Sequence, residues 1–300
     1  YGDHRDLHLS IRRQRQMCIR DSNRSDMLEK ASTADTDILV PDMEDSVPDN
    51  EKSNARSLIS EKLETLSGKN QSIVPRVNAL DTGLTFDDIH AVVNSKTYGI
   101  SVGKIESSWD IKEVSKILSQ IESEKSVELG STKIIAWIES ASAIVNVNSI
   151  ASASDRMLGI AFGGEDFTND MGIQRSETGI EILYPRSVVA VAAKAAGITA
   201  IDTPYVNFRD NDGLEQEIKS VLPLGFKAKF AIHPGQLQSI NNLFSPSEEA
   251  IEYAKKVIEV FEEAERNGSG ATSLDGKMID VPVVKRARNL LELANRMSQS

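Results

Sequence analysis

Cysteine occurs once in the 300 residues, at Cys18, which excludes a disulfide framework and any cysteine-built metal site. Histidine is nearly as scarce. Its four copies are scattered singly, so a multi-histidine zinc centre is not expected. No apolar run approaches the roughly 20 residues of a membrane-crossing helix. Positive charge is short, with 34 Lys and Arg against 45 Asp and Glu and a net charge of −11. That balance speaks against a nucleic-acid binder, because neutralising phosphates takes clustered Lys and Arg. An anionic substrate would need local basic residues against this acidic background. The glycine fingerprint that a doubly wound dinucleotide fold carries after its first strand is also missing.

What is present is a regular alternation of strands and helices. A hydrophobic content of 40% supports a sizeable core. Short apolar runs read as buried parallel strands: Asp37 to Pro41, Ser72 to Asn78, Tyr98 to Lys104, Lys133 to Glu139, Met157 to Phe162, Ile198 to Asp202 and Phe226 to Ile232. Helical patterns separate them, among them Glu51 to Leu66 closed by Gly68, and Tyr184 to Ala196 with Pro185 near its first turn. A shorter helix begins near Ser25, a candidate N-cap, and runs to Lys30. The strands end in Glu44, Arg76, Glu106, Glu139, Asp166, Asp202 and His233, roughly thirty residues apart, the length of one βα unit. Seven strands with polar residues at one end predict an α/β fold, a (β/α)8 TIM barrel whose first strand is atypical or missing.

The expected division is 1–22 as a non-native or unstructured N-terminus, 23–245 as the barrel, and 246–300 as a C-terminal helical extension and active-site lid. Tyr1 to Ser22 has neither an apolar segment nor strand alternation, and Arg12 to Ser22 resembles a translated sequencing-adaptor read. Beyond the barrel, Pro246 to Arg266 reads as a long helix with Ile251, Ala254, Val257, Ile258 and Phe261 on one face. Asn267 to Gly276 reads as a flexible linker, and a basic helix runs on to about Met297.

Glu139 and Asp166 are the strongest candidates for a site. Each lies just past a parallel strand, where such sheets bind ligands, and two hard oxygen donors with open positions beside them suit Mg²⁺. The residue types alone leave open that both are ordinary solvated acids.

Six blocks then occur in a fixed order: Val40-Pro-Asp-Met-Glu-Asp-Ser-Val-Pro48, Pro75-Arg-Val-Asn78, Trp137-Ile-Glu-Ser140, Gly163-Gly-Glu-Asp-Phe167, Ile232-His-Pro-Gly-Gln236 and Met278-Ile-Asp-Val-Pro282. In this order they resemble the citrate lyase β-subunit-like proteins of the HpcH/HpaI aldolase superfamily, which also contains malyl-CoA and citramalyl-CoA lyases. The resemblance implies Glu139 and Asp166 as Mg²⁺ ligands and Arg76 as the group that binds the keto acid's carboxylate and oxygen. It implies Lys30 and the Ile232-His233 backbone as contacts to a CoA thioester, with Glu44 and Asp45 supporting Arg76 and metal-bound waters. It implies Asp280 as an acid/base delivered by the tail of a neighbouring subunit in a homotrimer. Read from the residues alone, Asp280 is a helix cap for Val281 onward. The tail points to the citramalyl-CoA lyase branch. Two departures stand out: Cys18-Ile-Arg-Asp-Ser22 replaces an apolar-Val-Pro-Gly strand end, and Pro41-Asp42 and Val102-Gly-Lys104 replace Leu-Asp and Leu-Pro-Lys.

The implied activity is Mg²⁺-dependent cleavage of citramalyl-CoA or malyl-CoA into acetyl-CoA and pyruvate or glyoxylate. Those products differ by one methyl, worth about 1–3 kcal/mol of discrimination. The alternatives are a class II aldolase on free hydroxy-keto acids and a citrate lyase β-type subunit acting on an acyl-carrier thioester. No nucleic-acid or membrane partner is expected. The expected location is cytoplasmic, with a mitochondrial one left open by the N-terminus.

Overall fold

The computed structural model describes residues 15–19, 22–66, 71–176 and 178–298. Among them, nine short strands form one parallel sheet. They are β1 (Arg15–Ile19), β2 (Ile38–Pro41), β3 (Ser72–Ile73), β4 (Arg76–Val77), β5 (Gly99–Val102), β6 (Lys133–Ile138), β7 (Met157–Phe162), β8 (Thr199–Asp202) and β9 (Ala228–Ala231). The sheet order is β3-β2-β1-β9-β8-β7-β6-β5-β4, so its two ends are β3 and β4, which only Val74 and Pro75 separate in the chain. Pro75 has no N–H to give a ladder, yet its carbonyl accepts from Ser101 N at 2.9 Å. Bridges from Ile73 to Thr97 and from Asp42 to Arg76 pair this stretch on both sides. β3 and β4 are therefore one stave, and eight staves close a (β/α)8 barrel.

The barrel interior follows from the period-two pattern of its strands. Ile38 and Val40, Ile135 and Trp137, and Ala228 and Phe230 point inward with Cys18, Val74, Ala161 and Ile201. Helices fill the crossovers: α1 (Ser25–Ala31), α2 (Lys52–Leu66), α3 (Thr85–Val92), α4 (Ser108–Glu124), α5 (Ala141–Ala151), α6 (Gly164–Asp170), α7 (Ile180–Ala196) and α8 (Asn211–Val221), with α9 (Leu237–Phe244) after β9. None of the described helices is long and apolar enough to cross a membrane.

Four expectations need correction. Of the two readings of the first strand, atypical or missing, the first holds: Arg15–Ile19 is present, pairs in parallel with β2 and with β9, and so belongs to the barrel that was expected to begin at residue 23. Sheet closure, and not the local pattern, makes it a strand. Its partners would otherwise present two open edges, and Gln16, Met17, Cys18 and Ile19 are all buried there. Ser25 is the first residue of α1, not its cap. Helix α7 starts at Ile180, which puts Pro185 inside it. Asn267 to Gly276 is not wholly a linker, because β10 (Thr272–Leu274) pairs antiparallel with β11 (Lys277–Ile279). Asp275 and Gly276, both at positive φ (49° and 74°), make the two-residue turn that an Asp-Gly pair favours. Gly68, the expected end of α2, and residues 1–14 and 20–21 lie outside the described residues.

The chain passes from one compact unit to a second within α9, after Ile240. In the second unit α10 (Glu248–Arg266) is capped by Ser247, whose Oγ accepts from Ala250 N. Ala254, Val257 and Phe261 of α10 bury against Ile279, Val284 and Ala287 of β11 and α11 (Val281–Ser298).

Ile19 is 2% exposed. Ile19→Ala is expected to lower stability by about 2–5 kcal/mol in urea unfolding. A loss below about 0.5 kcal/mol would show that β1 lies outside the cooperative core.

Candidate active site

A parallel barrel sends every strand's C-terminal end to one rim, and there a cavity of about 170 Å³ opens. Five carboxylates line it, those of Asp42, Asp45, Glu139, Glu165 and Asp166, with Arg76 as the cation among them. Cys18, Trp137, Pro204, Val206 and Ile232 supply less polar wall.

Arg76 sits on β4 and is almost wholly buried. Its Nε and Nη2 donate to Asp42 Oδ1 and Oδ2, both at 2.7 Å, the two-pronged geometry that suits guanidinium and carboxylate. Nη1 remains, 3.2 Å from Glu44 Oε2 and 3.7 Å from Asp45 Oδ2. The guanidinium lies 5.6 Å from the Trp137 ring centre, and Trp137 is fixed by a 2.7 Å bond from its Nε1 to Ser101 Oγ. Asp42 is the residue that the sequence reading missed. It stands directly after β2, at the strand-end position that singles out Glu139, and in the sequence it shows only as part of the Pro41-Asp42 departure from the family pattern. Its carboxyl is held below the ordinary range: burial opposes this, and the Arg76 charge and hydrogen bonds outweigh it.

Glu139 follows β6 and is 6% exposed. Its Oε2 accepts from Lys104 N at 2.8 Å. Asp166 is the third residue of α6 and opens to the same cavity. Burial, reinforced by the Asp166 charge, pushes Glu139 up to about 7 despite the Lys104 bond. Asp166 is also raised, first by burial and then by Asp45. Glu44, buried with neither carboxylate oxygen hydrogen-bonded, is pushed up to about 8, chiefly by burial and against the pull of Arg76. Among the described residues no three His, Cys, Asp or Glu side chains converge as a complete metal cage. Two carboxylates in an electrostatic setting that opposes their ionisation fit a hard divalent cation that keeps positions for water or substrate.

The other expected residues are dispersed. Ile232 lines the cavity, and its N–H donates to Gln236 Oε1 at 2.9 Å. His233 is exposed. Its Nδ1 accepts from Gly235 N and its ring stacks on Phe208 at 5.0 Å, so the imidazole serves its own loop. Lys30 lies on an exposed face of α1, 3.4 Å from Asp26, and does not line the cavity. Glu106 is exposed near the start of α4, while Asp202 is buried against Arg186 and Lys229. Asp280 belongs to the second unit, where Oδ1 accepts from Val283 N at 3.2 Å and caps α11.

Residues 15–234 match the sequence profile of the family described as HpcH/HpaI aldolase/citrate lyase. Citrate lyase subunit beta of Leuconostoc mesenteroides subsp. cremoris is 39% identical over 284 residues, 95% of this chain and 94% of that protein. Mitochondrial citramalyl-CoA lyase of Homo sapiens is 31% identical, covering 91% and 83%. A crystal structure of CitE from Mycobacterium tuberculosis in complex with magnesium, acetoacetate and coenzyme A has a TM-score of 0.77 at 26% identity, covering 94% of this chain and 98% of that one. The 95% coverage by the Leuconostoc protein leaves too few residues unmatched at the C-terminus to exclude Met278-Ile-Asp280. The alignment with the Leuconostoc protein therefore runs through this tail, so its presence alone does not set this chain apart from that relative.

The raised carboxyls set a pH dependence. A folded-state value above the ordinary one stabilises fully below the ordinary value and is lost as pH climbs through the folded value. For Glu139 and Glu44 that window runs from about 4.5 to about 7 and about 8. Asp42, with its value lowered, acts oppositely and only at acid pH. Without divalent cation, the melting temperature is expected to fall from pH 5 to pH 8, and Glu44→Gln to flatten that fall. A flat profile in the parent protein would contradict the assignment.

Proposed function

The chain belongs to the HpcH/HpaI aldolase/citrate lyase family, and on that premise we propose that it is a Mg²⁺-dependent carbon–carbon lyase acting on a 3-hydroxyacyl thioester. The substrate is of citramalyl-CoA or malyl-CoA type, and the products are acetyl-CoA and a 2-keto acid, pyruvate or glyoxylate. One observation carries this reading: Glu139, Asp166 and Arg76 open into one acid-rich cavity at the barrel rim.

The donor set fits Mg²⁺, because it offers carboxylate oxygens and neither sulfur nor imidazole. Mg²⁺ bound by Glu139 and Asp166 would supply Lewis-acid polarisation of the keto acid's oxygens. Arg76, locked on Asp42 through Nε and Nη2, has Nη1 outside that pair, and this nitrogen would meet the substrate's hydroxyl oxygen. A carboxylate of the rim takes the proton of that hydroxyl; as the carbon–carbon bond breaks, the oxygen passes from alkoxide to carbonyl and the guanidinium stabilises its charge. The electron pair passes to the acetyl thioester as an enolate. Asp280, from the C-terminal segment of a neighbouring copy in a trimer, donates the proton that completes acetyl-CoA. Cys18, Pro204, Val206 and Ile232 limit water at the reacting carbon.

A second reading keeps the chemistry and changes the carrier: a citrate lyase β-type subunit cleaving a citryl thioester on an acyl carrier to give oxaloacetate. It is favoured by the 39% identity to the Leuconostoc subunit against 31% to the human lyase.

Incubation with (S)-citramalyl-CoA and Mg²⁺ is expected to release pyruvate and acetyl-CoA in equal amounts. Preferential cleavage of a citryl thioester on a carrier protein would favour the second reading, and no keto acid from any of these thioesters would sink both. Glu139→Ala and Asp166→Ala are expected to abolish metal-dependent turnover with the fold retained. Unchanged Mg²⁺ affinity in both, by calorimetry, would remove them as ligands. Arg76→Ala should lower kcat by about 10²–10³. Asp280→Ala should bind substrate without turning it over, and mixing it with Arg76→Ala subunits should restore part of the activity. No recovery after demonstrated subunit exchange would exclude action across copies.

A further inference from the structure

The turn that carries Asp166 is pressed between two strand ends. A Cβ on Gly163 would lie 2.4 Å from Glu139 Cγ, and one on Gly164 would lie 2.9 Å from Arg175 Nη1. At Gly163 a side chain would displace Glu139, whereas at Gly164 it would press on the movable end of Arg175. Toward β6 the turn is fixed by Gly163 N donating to Ile138 O at 3.0 Å. Toward β8 it is fixed by Gly164 N donating to Thr203 Oγ1 at 3.1 Å. A second tether joins Arg175 Nη1 to Glu165 Oε1 at 2.8 Å.

Thr203 is itself immobilised from below. Lys229 on β9 is fully buried, and its Nζ spends its three donors on Thr203 O, Asp202 Oδ2 and Glu217 Oε1, each at 2.6 Å. Arg186 on α7 grips Asp202 at 2.9 Å and Glu217 at 3.2 Å. Glu217 on α8 also faces Arg175 at 3.5 Å. One buried charge cluster thus anchors both tethers. Buried ion clusters of this kind are poor value as stability, since apolar replacements often match them, so their use is better sought in fixing one geometry.

We propose that Thr203 is a positioning residue for the metal-binding carboxylates: its hydroxyl, carried on a backbone whose carbonyl Lys229 holds, sets where the Gly163–Asp166 turn rests against Glu139, and Arg175 shares the load. This rests on Glu139 and Asp166 holding Mg²⁺. Thr203 and Arg175 need not touch the metal or the substrate for it.

The test is calorimetric Mg²⁺ affinity of the full-length protein, with melting temperature as the fold check. Thr203→Val keeps the shape and removes the acceptor, and should weaken Mg²⁺ binding by about tenfold. Turnover should recover as Mg²⁺ is raised, with the KM for thioester little changed. Thr203→Ser restores the hydroxyl and should bind within about threefold of the parent. Arg175→Gln, at a partly exposed position, should weaken binding in the same direction and serves if Thr203→Val does not fold. Variants that all bind within twofold of a Mg²⁺-binding parent would overturn the positioning role and leave the lyase reading intact. Serine failing as badly as valine would likewise overturn it. A parent that does not bind Mg²⁺ would sink the metal site, and this inference with it.

Discussion

A buried guanidinium must find its counter-charge inside the protein, and Arg76 finds it across a strand boundary. Asp42, at the end of β2, takes two of its nitrogens at 2.7 Å, and the backbone bridge between the same two residues holds β2 against β4. Removing either partner would leave the other charged and desolvated, a loss of about 3–5 kcal/mol for pairs of this type. A further layer secures the turn after Asp42. Lys52 Nζ donates to Met43 O and Glu44 O at 3.0 and 2.7 Å, and Asn78 Nδ2 donates to Met43 O at 2.9 Å. Asn78 is oriented in turn by the fully buried Asp88. Arg76 is thereby held by Asp42 at the cavity wall and, behind it, by Lys52, Asn78 and Asp88, which are not among the residues lining the cavity.

The same economy of backbone appears at β5. Lys104 adopts φ 54°, a left-handed conformation that costs a residue with a Cβ about 1–2 kcal/mol. The conformation directs its N–H to Glu139 Oε2. Its side chain turns outward, 4.0 Å from Glu44 and 3.8 Å from Asp45. Gly103 before it leaves the space Glu44 occupies, since a Cβ there would lie 2.6 Å from Glu44 Oε1. Local strain and a missing side chain are explained together by the need to seat two carboxylates in one rim.

The fold was legible because parallel staves are buried on both faces and so appear as uninterrupted apolar runs. Six of the eight could be read that way over most of their length, with Ser101 in β5, Asp202 in β8 and Lys229 in β9 as polar interruptions. Ser72 to Asn78 was read as one strand, and it is one stave, which Pro75 splits in hydrogen bonding only. β1 was illegible because Arg15-Gln-Met-Cys-Ile19 has no such run, and ring closure is a nonlocal demand that no window of sequence contains. Glu139 and Asp166 were visible through their place after strands. Asp42 shared that place, but only the geometry shows that it, more than Glu44 or Asp45, is the grip on Arg76. The buried cluster at Asp202 and Lys229 was hidden because its members lie on β8, β9, α7 and α8, far apart in the chain. The Asp275-Gly276 hairpin was written plainly in the sequence and was overridden by the flexibility that its neighbouring glycines suggest.

The rim is electrostatically lopsided, and the lopsidedness locates the chemistry. On the β8–β9 side, Arg175, Arg186 and Lys229 face Asp202, Glu217 and Glu181 at 2.6 to 3.5 Å, so positive and negative groups are matched within the protein. From β2 to β7, Arg76 and Lys104 face Asp42, Glu44, Asp45, Glu139 and Asp166. Carboxyl groups are in surplus there and partner cations do not match them: Glu44 has neither oxygen hydrogen-bonded, and burial favours the neutral forms of Glu44 and Glu139. A group of carboxylates left in this state is poorly suited to stability by itself and well suited to a divalent cation, whose charge would reverse the burial penalty of its ligands. The matched side supplies rigidity and the unmatched side supplies demand. Asp166 stands on the turn between them, held from the matched side and facing the unmatched one.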